Sequence, residues 1–250
     1  MQLDIILRTH DGNSVHPRRF DKPKKDIVWR SVRSLITAIK NVDGCGINLT
    51  IIDDHSTQET KDFFRRETRG INSTVIGLKN TGNNASMLVA LAMGKESKAD
   101  LVYIVEDDYL HQPDALSVAL DTWKKFHPKN PFPLMGMSLV DCASNYDQES
   151  RDGSAGYIVG GTDRPWRTIE HTGVTFLLEN GVLQKHWQPF EEIARYWPYF
   201  EERITFNKLW NTQVGMYCPL VPLAYHLWED HPYYPVTNLW ETNKCLELAA

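Results

Sequence analysis

The 250 residues are 42% hydrophobic and 24% charged, an ordinary globular balance that excludes a disordered or fibrous chain. A formal net charge of -5 gives no general pull toward nucleic acid. The four cysteines, Cys45, Cys142, Cys218 and Cys245, stand singly without a CxxC pair, so reduced thiols are expected rather than a disulfide framework or a zinc site.

The opening MQLDIILRTHDG has no basic leader and reads as a strand rather than a signal peptide. No run of about 18 apolar residues occurs, so no transmembrane segment is expected. A soluble, cytoplasmic protein is the resulting expectation. LDIIL (3–7) is the first buried strand. Asp26 suits the cap of a helix whose apolar positions Val28, Val32, Leu35, Ile36 and Ile39 recur at helical spacing, until Gly44 and Gly46 break it. INLTIIDDHS (47–56) is the second strand, residues 57–68 a helix, and STVIGL (73–78) the third strand. A small-residue-rich helix over 83–96 leads to the fourth strand, ADLVYIVEDD (99–108), and Pro113 opens a helix reaching Phe126.

This alternation predicts an α/β fold, with a mostly parallel sheet sandwiched by helices. Ligands of such sheets bind outside the carboxyl ends of the strands. Those ends carry Arg8-Thr9-His10, Asp53-Asp54 and Glu106-Asp107-Asp108. The second half has shorter strands and six of the eight tryptophans, and its Gly-rich GSAGYIVGGTDRP (153–165) reads as part of a mobile loop over Ala143 to Arg164. With neither linker nor repeat in sight, residues 1–250 read as one domain, a first half (1–126) of alternating strands and helices followed by a smaller mixed half (127–250).

One acidic strand end would be an ordinary turn. Two in one parallel sheet suggest a hard divalent cation, held by one or two carboxylates and completed by phosphate oxygens and water. A cation would also relieve the repulsion within Glu106-Asp107-Asp108, since the stretch VYIVEDDYLHQPDAL (102–116) contains no Lys or Arg. Strand alternation alone would point Glu106 and Asp108 one way and Asp107 the other.

TIIDDHSTQET (50–60), KNTGNNASMLVALAMGKESKADLVYIVEDD (79–108) and VEDDYLHQPDAL (105–116) together resemble the motifs of nucleotide-sugar-dependent glycosyltransferases of the GT-A fold. The last is similar to their acidic DXD element, in the EDD form of inverting N-acetylglucosaminyltransferases. The resemblance covers residues 3–126 well and the remainder thinly. It implies a metal-dependent hexosyl- or N-acetylhexosaminyl-transferase of the family-two type. Such an enzyme would use a nucleoside-diphosphate sugar, an Mn2+ or Mg2+ cofactor and an inverting reaction.

Carried over by residue, the resemblance makes Asp108 the metal ligand, with Asp107 or Glu106 on the ribose or a metal-bound water. Asp54 would read the base. A carboxylate accepts the N3–H of uracil or thymine or the N1–H of guanine, and a UDP-sugar is favoured. Thr9 and the backbone around His10 would line the nucleoside pocket, and Arg8 would lie near the diphosphate. Most Lys and Arg of the loop RRFDKPKK (18–25) read as solvated. Asn80 and Gly82 precede a helix N-terminus suited to anions or ribose hydroxyls.

In the second half, YFEERITFNKLW (199–210) is similar to the helix start that carries the catalytic base of inverting members, which points to Glu202, then Glu201 and Glu170. PLVPLAYHLWED (219–230) is similar to the family's C-terminal strand that ends in a metal-completing histidine, and the resemblance points to His226, with His231 its competitor. WRTIEHTGVTFLL (166–178) resembles the sugar and acceptor pocket, with Trp166, Glu170 and His171 the stacking or polar candidates. The acceptor stays open among glycan, lipid, protein or another hydroxyl-bearing molecule. Two competing readings are a non-catalytic glycosyltransferase-like binding domain and a nucleotidyltransferase. The second would carry a Gly-rich phosphate loop, whereas RTHDGNSVHPRR has one glycine.

Overall fold

The structure is a computed structural model, and it describes residues 1–12, 23–141, 156–170, 172–198, 206 and 208–227. β1 (Gln2–Thr9) lies at the centre of a four-stranded parallel array, because its apolar residues are buried on both faces. β2 (Gly46–Asp53) and β4 (Leu101–Glu106) flank it, and β3 (Ser73–Gly77) lies outside β2. Alternate residues feed two cores. Leu3, Ile5 and Leu7 pack with helices α1 (Lys24–Lys40), α2 (Gln58–Glu67) and α4 (Ala115–Phe126) on one face. Ile6, Ile52 and Ile104 pack with α3 (Asn83–Glu96), α5 (Gly181–Lys185) and α6 (Trp187–Tyr196) on the other. A Cβ on Gly94 would meet Leu183 Cδ1 at 2.7 Å, so a glycine lets α3 press against α5 and the sheet.

The sheet continues through β9 (Phe176–Glu179), β6 (Leu134–Met137), β10 (Val214–Pro219), β8 (Pro165–Thr168) and β7 (Ile158–Gly160), in mixed directions. Its order, β3-β2-β1-β4-β9-β6-β10-β8-β7, takes strands from both halves of the chain. β5 (Tyr109–His111) and β11 (Ala224–His226) form a separate antiparallel pair. Part of the loop expected over Ala143 to Arg164 is therefore edge strand β7, while residues 142–155 lie outside the described residues. Cys45 and Cys218 carry no disulfide, and Cys142 and Cys245 lie outside the described residues.

Two boundaries differ from the sequence reading in ways that shape the site. Helix α1 begins at Lys24 rather than behind an Asp26 cap. Pro23 precedes it, its missing N–H costing nothing where no intrahelical partner exists, and Asp26 sits in the first turn. β4 ends at Glu106, and Asp107 and Asp108 lie in a turn rather than in the strand. The expected alternation of the three acids therefore stops at the strand end.

Under this turn, Tyr103 of β4 and His111 of β5 are buried together, with Tyr103 Oη 2.8 Å from His111 Nε2. Burial lowers the His111 pKa from 6.5 to about 4, so the folded protein holds the imidazole neutral. As pH falls, the unfolded chain takes up this proton first. The contribution is fully present above pH 6.5 and is lost as pH falls to about 4. Urea unfolding should show wild type losing about 3 kcal/mol more than His111→Gln between pH 7 and pH 4. Equal losses would remove His111 from the acid sensitivity of the fold.

Candidate active site

The strand order changes direction between β1 and β4, since β2 and β3 lie on one side of β1 and β4 on the other. At the carboxyl ends of these strands opens a cleft of about 420 Å³, within the size range of small-molecule sites. Arg8, Thr9 and His10 reach it from β1, Asp54 and His55 from the end of β2, and Glu106, Asp107 and Asp108 from the end of β4. Thr81, Gly82, Asn83 and Ser86 close it from the start of α3, and Lys24 enters from α1. All three acids of the EDD triplet thus face one cavity.

Two of the three acids meet protein cations, which the sequence reading did not anticipate. Arg8 Nη1 donates to Glu106 Oε1 at 3.1 Å, and Lys24 Nζ donates to Asp107 Oδ1 at 2.6 Å. The counter-charge assigned to a metal alone is therefore supplied in part by side chains far from the acids in sequence. Lys24 belongs to the loop read as solvated, yet it is 8% exposed. Desolvation works against its ammonium, but Asp107, Asp108 and Glu106 outweigh it and hold its pKa above the ordinary lysine value. Burial raises the Glu106 pKa against the opposing Arg8, with Asp108 and Asp107 adding to the rise.

Arg8 is also strapped to α3. It donates to the Asn83 carbonyl at 3.2 Å, to Asn83 Oδ1, and to Ser86 Oγ. Its guanidinium thereby joins the end of β4 to the start of α3. The His10 backbone N–H donates to Asp107 Oδ2 at 2.7 Å, and His10 Nδ1–H donates to the Asp54 carbonyl at 2.6 Å. Thr9 is buried, its Oγ1 without a hydrogen-bond partner among the described residues.

Asp54 Oδ2 accepts the Gly82 N–H at 2.7 Å, and Oδ1 lies 2.9 Å from His55 Nδ1. Gly82 has φ +108°, a conformation that L side chains rarely adopt, so glycine lets this amide turn to the carboxylate. Each carboxylate oxygen keeps a second lone pair for a ligand donor. Asn80 is exposed and outside the cleft wall, where its neighbours Thr81, Gly82 and Asn83 stand instead.

Asp108 Oδ2 lies 3.5 Å from His226 Nε2, because β11 pairs with β5 and the Leu227 N–H bonds the Asp108 carbonyl. His226 also stacks on Tyr109, with ring centroids 4.7 Å apart. Among the described residues no group of three His, Cys, Asp or Glu side chains converges as a metal cage. Asp108 and His226 are the carboxylate and imidazole of the cleft that would hold a divalent ion, with substrate oxygens and water supplying its other ligands.

The second-half candidates fare differently. Trp166 is fully buried and packs edge-on against Phe126, so it has no free face for a sugar, and its assignment to the pocket is corrected to core. Glu170 is half-buried and outside the cleft wall. Glu201, Glu202, His171 and His231 lie outside the described residues. The residues missed from sequence are Lys24, His55, Thr81, Asn83 and Ser86. Only the lysine of the basic loop and the NxGNN stretch before α3 gave any signal for them.

No protein-family model and no curated protein matches this sequence. Several solved structures match its fold. S. aureus TarS 1–349 aligns with TM-score 0.51 and 13% identity over 87% of this chain and 60% of that one. The same protein in complex with UDP-GlcNAc aligns with TM-score 0.52 and 13% identity over 99% of this chain and 66% of that one. The galactosyltransferase LgtC, in complex with donor and acceptor sugar analogs, aligns with TM-score 0.51 and 12% identity over 85% of this chain and 72% of that one. The chain thus spans less than two thirds of the TarS chains it matches. Among the described residues no helix is long and apolar enough to cross a membrane. The strand order, the cleft at its switch point and these alignments give one conclusion: the chain has the GT-A fold of nucleotide-sugar glycosyltransferases.

Proposed function

We propose that this chain is a glycosyltransferase that moves a hexosyl or N-acetylhexosaminyl group from a UDP-sugar to a hydroxyl acceptor, with inversion. The observation that carries this reading is the gathering of Asp54, Glu106, Asp107 and Asp108 in one cleft at the switch point of a GT-A sheet. Asp54, held by the Gly82 amide, would accept the uracil N3–H, and the buried Thr9 hydroxyl would meet the nucleoside. Asp107 and Glu106 would take the ribose side. Asp108 and His226 would hold Mn2+ or Mg2+, and a divalent ion there would neutralise charge on the departing diphosphate.

Glu202, with Glu201 next, is the proposed base for the acceptor hydroxyl, by resemblance alone. TarS and LgtC support this reading through their UDP-GlcNAc and sugar-analog complexes. A thermal shift panel of UDP, TDP and GDP, each with Mn2+ and with EDTA, tests it. UDP with Mn2+ at about 100 times its Kd should raise Tm by roughly 5–10 °C. Failure of every nucleotide to stabilise the protein in either buffer would sink the proposal.

A further inference from the structure

We propose that Lys24 is a built-in cation of the donor site: it rests on Asp107 before nucleotide arrives and turns to the diphosphate when a nucleotide binds, so that nucleotide is retained without a divalent ion. This rests on the nucleotide-sugar reading and adds a residue to it. The two cations of the cleft are built differently. Arg8 is fixed by Glu106, Asn83 and Ser86 at once, and its planar fork has little freedom left. Lys24 makes one side-chain hydrogen bond among the described residues, to Asp107, from a flexible four-carbon stem with three donors.

Releasing Lys24 would not leave Asp107 bare, because the His10 backbone N–H still donates to its other oxygen at 2.7 Å. The swap therefore exchanges one charge-assisted hydrogen bond for another inside the same cavity. Charge favours it as well. Three carboxylates against Arg8 and Lys24 leave the triplet with a net single negative charge, and a diphosphate adds more. A cationic side chain already in the cavity lowers the cost of that second anion whether or not a metal is present.

The test is UDP binding by isothermal titration in Mn2+ and in EDTA, with wild type, Lys24→Met and Lys24→Gln. Circular dichroism at the same temperature confirms that each variant is folded. Wild type should bind in EDTA within about 10-fold of its Mn2+ affinity. Both variants should lose about 10- to 100-fold of the EDTA affinity, the scale of one charge-assisted hydrogen bond, and lose less in Mn2+. Variants that match wild type in EDTA overturn the role of Lys24, as does a wild type that binds only in Mn2+. A wild type that binds UDP in neither buffer overturns the UDP-sugar reading on which this role rests. Rescue of binding in Mn2+ separates the two failures.

Discussion

Asp108→Asn is expected to lower sugar transfer from a UDP-sugar by about 100- to 1,000-fold at saturating donor, with a smaller effect on KM. The asymmetry follows from where charge develops. As the glycosidic bond breaks, negative charge grows on the diphosphate, so a group that acts on it contributes more in the transition state than in the ground state. Glu106 faces Arg8, Asp107 faces Lys24, and Asp108 lies 3.5 Å from the imidazole of His226, a side chain that binds divalent ions where Arg and Lys do not. That neighbour makes Asp108 the triplet's candidate for an exchangeable ion. The amide keeps the shape and removes the charge, and Mn2+ titration of turnover should show the apparent metal affinity falling in parallel. An Asp108→Asn protein that turns over within about threefold of wild type at the same Mn2+ concentration would move the metal elsewhere.

The parallel half of the fold was legible because β1 and β4 are near-continuous apolar runs buried on both faces, and α1 carries one apolar stripe. The small-residue-rich helix expected over 83–96 is found at Asn83–Glu96, and the strand expected over 73–78 ends one residue early, at Gly77. The fourth strand was overextended to Asp108, because an unbroken run of apolar residues says nothing about where hydrogen bonding stops. The ladder from Leu3 to Arg8 against Leu101 to Glu106 sets that limit. The second half was harder to read. Its strands of three to six residues carry too few positions for a period, and β7 is exposed, so Ile158 looked like loop.

Within the site, the acids were legible because strand ends at the carboxyl edge of a parallel sheet are few. Their cations were not. Lys24 pairs with Asp107 across 83 positions, and Arg8 pairs with Glu106 across 98, so no local pattern links them. A lysine in a basic loop is usually solvated, and only the start of α1 at Lys24 turns this one inward. Trp166 failed as a pocket residue for the converse reason. An indole rich in apolar surface is worth more buried against Phe126 and Tyr217 than half-exposed to sugar, and residue type alone does not distinguish the two.

Arg8→Met should destabilise the fold by about 2–3 kcal/mol in urea unfolding, and Glu106→Gln in the same chain should recover most of that loss. Breaking a buried pair by removing one partner costs about 3–5 kcal/mol, because a charge is left uncompensated. The figure is reduced here because Glu106 keeps 28% side-chain exposure and water screens part of the charge. Arg8 itself is 5% exposed, and methionine replaces its length but none of its donors. Two losses follow from the change. Glu106 faces Asp107 and Asp108 with no guanidinium, and the start of α3 loses its tie to β1 through Asn83 and Ser86. The double variant separates them, since Glu106→Gln removes the repulsion but cannot restore the tie to α3. Recovery of more than half the loss makes the acid cluster the dominant cost. An Arg8→Met penalty that is the same with and without the Glu106→Gln change would instead make Arg8 a clamp on α3, whose ion pair with the EDD triplet contributes nothing measurable.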